Sequence, residues 1–147
     1  MTKVTKMVVS GAAVLVLASC AMYQDKAPAF MPGSGAVSVK LAGSEEVPPV
    51  MANGSGSGSI RVGSDHAVSG SVTTTGVQGT MAHIHQGAKG QNGPVIIPLT
   101  KSGDTYTVPA GAKLTPAQMD AFKAGNLYVN VHTAANKGGE VRGQLQP

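Results

Sequence analysis

The 147-residue chain is short of several residue types, and each shortage excludes a class of function. It has a single cysteine, Cys20, so no internal disulfide can form. It has no tryptophan, three tyrosines and two phenylalanines, too few rings to stack a run of nucleic-acid bases. Only 12% of its residues are charged, and its lysines and arginines form no cluster that would neutralise phosphates, which argues against nucleic acid as a partner. No serine lies in a nucleophile-elbow context, and no paired carboxylates suggest glycoside hydrolysis. The longest apolar run, residues 7–18, is about a dozen residues, short of a bilayer span.

That run follows Lys3 and Lys6 and ends in LASC (17–20), the pattern of a secretory signal whose last motif resembles a bacterial lipobox. Lipid attachment explains the lone Cys20 in an exported protein. Residues 1–19 are expected to be a cleaved signal peptide, and Ala21 in place of aspartate favours the outer membrane, facing the periplasm. Loss of the leader removes Lys3 and Lys6 and brings the formal charge from +4 to +2. Residues 20–35, with Pro28, Pro32, Gly33 and Gly35, have no helical or strand period and suggest a lipid-anchored flexible tether. Residues 36–147 are the size of one domain that can form its own core.

Within that domain the chain alternates short β-favouring runs with Gly, Pro, Asn and Ser. The runs are 36–42 (AVSVKLA), 57–62 (SGSIRV), 67–75 (AVSGSVTTT), 81–86 (MAHIHQ), 94–99 (PVIIPL), 105–109 (TYTVP), 127–133 (LYVNVHT) and 140–146 (EVRGQLQ). About eight short strands at this spacing predict an all-β antiparallel sandwich or barrel. One segment, 114–126, breaks the pattern: Thr115 as N-cap, Pro116 at the first helical position and Gly125 as stop predict a short packing helix. NGSGSGSI (53–60) lacks the Lys-Ser/Thr ending of a phosphate loop and is expected to be a flexible loop entering a strand. EVPPV (46–50) is expected to be a rigid edge, with no chemistry assigned to Glu45 or Glu46.

The informative residues are histidines, of which there are four. In a strand, alternate side chains share a face. If Ala82 and Ile84 face the core, Met81, His83 and His85 face outward. On 127–132 the same rule turns Leu127, Val129 and Val131 inward and Tyr128, Asn130 and His132 outward. Neighbouring strands would then bring three imidazoles together, and neutral imidazole suits zinc, copper, iron or nickel. The thioether of Met81 is a candidate extra ligand. Asn130 and Glu140 are candidates to orient the rings by hydrogen bonds. His66, in the turn-like SDH, is expected to be a surface residue.

EVPPV (46–50), HIHQGAKGQNGPV (83–95) and YVNVHTAANKGGEVRGQL (128–145) together resemble the chordin-type (CHRD) domain over about residues 36–146. The resemblance implies an antiparallel Greek-key β-sandwich of the superoxide-dismutase or immunoglobulin kind. HIH and VNVH are also similar to the copper half-site of copper/zinc superoxide dismutases, with His83, His85 and His132 in the matching places and Arg142 where those enzymes keep an arginine near copper. The loop 86–93 has neither histidine nor carboxylate, so the zinc half is missing, which argues against superoxide dismutation. These readings predict a lipid-anchored cell-envelope protein that binds a transition metal, copper before zinc, through three histidines. The rivals are a non-metal interaction module and, behind it, a dismutase-like enzyme with Arg142 steering the anion.

Overall fold

The computed structural model describes residues 36–147; the expected signal peptide, Cys20 and tether lie outside the described residues. Nine strands form one antiparallel sheet: β1 (Ala36–Ala42), β2 (Ser55–Val62), β3 (Val68–Thr75), β4 (Gly79–Gln86), β5 (Val95–Pro98), β6 (Thr100–Ser102), β7 (Thr105–Thr107), β8 (Leu127–Thr133) and β9 (Val141–Leu145). Their spatial order is β5-β4-β8-β9-β1-β2-β3-β7-β6. β5 and β6 occupy opposite ends of that order yet are separated by Leu99 alone, so the chain itself joins the sheet's two edges. Leu99 N–H donates to Ala82 O at 2.9 Å, and the sheet curls nearly shut. The expected all-β antiparallel architecture is present, as a barrel-like wall and not as two separate sheets. The single run expected at 94–99 is divided because β5 pairs with β4 while β6 pairs with β7.

The barrel is filled by Val, Ile and Leu from the inward positions of each strand. Val37, Val39 and Leu41 of β1, Ile60 of β2, Val72 of β3, Ile84 of β4, Val129 and Val131 of β8, and Val141 and Leu145 of β9 are buried. Each such side chain taken from water stabilises the fold by about 1.5–3 kcal/mol. The expected loop at 53–60 is a strand from Ser55 onward, and its glycines have a packing reason. In register, Leu41 faces Gly56, Val39 faces Gly58, and Ile60 faces Gly70. Large and small residues alternate across the inner wall, which lets a narrow barrel close. A methyl group at Gly58 would run into the backbone of Ser71 and Val72.

The helix α1 (Pro116–Lys123) forms as its punctuation predicts. Thr115 Oγ1 accepts from Gln118 N–H at 3.2 Å and Gln118 Oε1 accepts from Thr115 N–H at 2.8 Å, a capping box worth about 1 kcal/mol. Gly125, at φ 71°, ends it, and Met119 and Phe122 bury against the barrel. A 3-10 turn (Gly43–Glu45) follows β1 and starts the irregular segment that carries EVPPV. His66 occupies a turn at φ 67°, half-buried, with Nδ1 3.2 Å from Leu114 O.

Candidate metal centre

β4, β8 and β9 lie side by side, and their outward residues form three rows. His85 faces Tyr128, which faces Gln144; His83 faces Asn130, which faces Arg142; Met81 faces His132. On an ordinary barrel this outer face would meet water. Here all seven residues of β8 are buried on both faces. The cover comes from segments 43–50, 87–94 and 134–140, which fold over the outer wall and are held there by the polar side chains beneath them. His85 and His132 are 7% and 8% exposed, and His83 is half-buried. The histidines therefore project outward as the alternation predicts, but into a covered polar layer.

The three rings converge. His83 Nδ1 lies 2.9 Å from His132 Nε2, and one nitrogen from each of His83, His85 and His132 falls within 4.8 Å of the others. Donors bound at 2.0–2.1 Å around a tetrahedral ion stand roughly 3–3.5 Å apart, so small ring rotations separate this cluster from a coordination site. The second nitrogen of two rings is already engaged. His85 Nδ1 is 2.9 Å from Gly93 O, and His132 Nδ1 is 2.9 Å from Lys137 O. A carbonyl only accepts, so both Nδ1 atoms carry their protons and both Nε2 atoms keep a lone pair. His132 Nε2 accepts from His83 Nδ1. His85 Nε2 is buried with no partner among the described residues. An unshared imidazole lone pair on a ring clustered with two other imidazoles suits a transition metal, with backbone carbonyls in the orienting role that metal-bound histidines commonly have.

The electrostatics keep the rings neutral. Burial lowers the pKa of His83, and the nearby rings of His132 and His85 add to this. Burial also lowers that of His85, against the opposing effect of the Gly93 carbonyl. Neutral imidazole is the form that binds metal.

The other expected site residues divide. Asn130 is fully buried in the middle of the site and donates from Nδ2 to Gly138 O at 3.2 Å. Met81 stands directly opposite His132, with 51% of its surface exposed. Glu140 does not orient an imidazole. Its Oε2 accepts from Thr133 Oγ1 at 2.7 Å and from Asn136 Nδ2 at 3.2 Å, because its place at the end of the 134–140 loop turns it back on β8. It serves the site indirectly, closing the loop that offers Lys137 O to His132. Arg142 corrects the anion-steering expectation: it is 1% exposed. Its guanidinium donates to Ala88 O at 3.2 Å, Gln91 O at 2.8 Å and Asn92 Oδ1 at 3.3 Å, and lies 3.4 Å from the Tyr128 ring centroid. A cation spent on the covering loop from below is not available to guide an anion from outside.

Sequence reasoning missed two residues. Tyr128 stacks on His85, centroids 4.8 Å apart and planes within 7°, and its hydroxyl accepts from Gly93 N–H at 3.2 Å. Its outward position beside His85 was available as a signal. Glu46, given no chemistry from EVPPV, is 4% exposed, and burial raises its pKa to about 7 against the nearby charge of Arg142. Nothing in its local sequence marks it, since the burial comes from residues more than eighty positions away.

These features define a class: a small antiparallel β-barrel domain with a three-imidazole cluster beneath loops on its outer wall, able to hold a metal ion. The chain belongs to the CHRD domain family, which matches residues 37–145. No curated protein and no solved structure matches it.

Proposed function

We propose that this protein is a lipid-anchored cell-envelope copper-binding protein that captures, buffers or delivers copper outside the cytoplasm. The observation that carries the metal reading is the cluster of His83, His85 and His132, in which His85 Nε2 is buried and unpartnered among the described residues. Copper is favoured over zinc on two grounds. An imidazole site takes Cu(II) most tightly among the divalent first-row ions, and the H-x-H strand with a later histidine resembles a copper half-site whose zinc half is missing here. The envelope location rests on the sequence: the apolar run after Lys3 and Lys6, and the lipobox-like LASC ending at Cys20. With Arg142 buried, it is not available to guide superoxide, and capture or transfer is the better account.

Thermal melting with and without metal tests the reading. A ligand at a hundred times its Kd stabilises the fold by about 2.7 kcal/mol, which raises the melting point of a domain this size by about 10 °C. The His83→Ala/His132→Ala variant should melt at one temperature whatever the copper concentration. The specific rival is a purely structural cluster, supported by the direct contact between His83 and His132. It predicts destabilisation in the variant and no metal dependence in either protein. For the anchor, Cys20→Ser should move the protein from the membrane fraction to the soluble fraction; unchanged fractionation contradicts lipid attachment.

A further inference from the structure

Three imidazoles leave a four-coordinate ion one donor short, and the missing donor decides which ion the site prefers. Sulfur selects Cu(I); oxygen suits divalent ions. Two side chains on the same face compete for the place, Met81 and Asn130.

Asn130 stands at the centre of the cluster. It is opposite His83 in the ladder and two residues from His132 on its own strand. It is 1% exposed. The nitrogen end of its carboxamide is fixed: Nδ2 donates to Gly138 O at 3.2 Å, and Glu46 and Gly139 close round it. At Gly139 (φ 137°) an added methyl group would run into Glu46 Oε1 and Asn130 Nδ2 together, so these three are packed without spare room. With the nitrogen pinned on that side, the oxygen points the other way. Asn130 Oδ1 is buried and has no hydrogen-bond partner among the described residues. Asn130 is diagonal to His85 across the β4–β8 ladder, and His85 Nε2 is also buried and unpartnered among the described residues. Each is a buried lone pair with no donor to satisfy it among the described residues. A cation between them satisfies both.

Resting on the metal-binding reading above, we propose that Asn130 Oδ1 is the fourth donor, giving a three-nitrogen, one-oxygen site that prefers divalent ions to Cu(I). Glu46 and Gly139 are then positioning residues, holding the carboxamide so that its oxygen faces the ion. Met81 lacks such support: it is half exposed, and the ladder places it at the His132 end of the cluster. It is left as a neighbour at the mouth of the site.

The test is a set of competitive titrations of the purified protein with Cu(II), Zn(II) and Cu(I), for wild type, Asn130→Leu and Met81→Leu. Asn130→Leu should weaken Cu(II) and Zn(II) about ten- to a hundredfold and leave Cu(I) within about twofold, while Met81→Leu should change none of them appreciably. Loss of Cu(I) affinity in Met81→Leu, with Asn130→Leu unchanged, overturns the assignment in favour of a thioether ligand. If Asn130→Leu does not fold, a crystal structure of the zinc-loaded wild type decides. The Asn130 oxygen should lie about 2.0–2.2 Å from the ion, and a water or Met81 sulfur in its place overturns the assignment. A wild type that takes up no metal overturns the parent reading, and a wild type that binds without Asn130 overturns this one alone.

Discussion

His85 and Glu46 occupy the same polar layer and respond to acid in opposite directions. His83 and His85 are held below 6.5 in the fold, whereas the unfolded chain protonates at about 6.5. As pH drops below that value the unfolded state takes up protons first, and the metal-free fold loses stability down to the lowered folded values. Glu46 has a pKa of about 7 in the fold against 4.5 unfolded. Its contribution is complete below 4.5 and is lost as pH rises through 7. Glu46→Gln removes that opposing contribution. Between pH 7 and 5 the melting point of the metal-free variant should therefore fall more steeply than that of wild type, measured by circular dichroism. Parallel curves would contradict the assigned environment of Glu46. At this scale the shared face of the three clustered histidines was legible in the sequence because strand alternation is a local rule. Glu46 was not, because only the fold brings Arg142 and Asn130 to it.

At the scale of elements, the site depends on loops held against β8 and β9. Arg142 and Gln144 of β9 reach the 87–93 segment, with Gln144 Nε2 donating to Gly87 O at 2.9 Å. Asn92 continues the chain of bonds, donating from Nδ2 to Val47 O at 2.7 Å. Gly93, at the end of this segment, fixes His85 through its carbonyl, so the loop's order and the ring's orientation are coupled. Arg142→Met keeps the bulk of the side chain and removes its donors, taking the charged partner from Ala88 O, Gln91 O and Asn92 Oδ1. It should cost about 3 kcal/mol, speed amide exchange in 87–93, and weaken metal binding without any contact to the ion. Unchanged exchange in that segment would show that the loop is held by something else. The sequence placed Arg142 near the site by resemblance, but its role is set by register: opposite Asn130, beneath a loop whose Ala88 and Gln91 carbonyls it reaches. Helix α1 lay at the other extreme. Thr115, Pro116 and Gly125 are local punctuation, and the structure follows them.

At the scale of the whole molecule, strand count and closure were only partly legible. Hydrophobic alternation located most of the strands, but not the division of 94–99 at Leu99, because which edge a short strand joins is a long-range matter. Nor does period two distinguish a wet outer face from a covered one: 127–133 reads as a half-exposed strand and is buried throughout. That second, polar layer makes the barrel more than a packed shell. It takes three imidazoles from two neighbouring strands, fixes Nδ1 of His85 and His132 with loop carbonyls, and leaves His132 Nε2 against His83 and His85 Nε2 unpartnered among the described residues. The most direct measurement is a competitive Cu(II) titration of the purified protein beside its His83→Ala/His85→Ala/His132→Ala variant at pH 7.5 and 5.5. The account predicts one equivalent bound by wild type, at least about a hundredfold tighter than by the variant, and weakened at pH 5.5 as imidazole protonates. Equal copper in the two proteins, or binding by wild type that does not respond to acid, would contradict it.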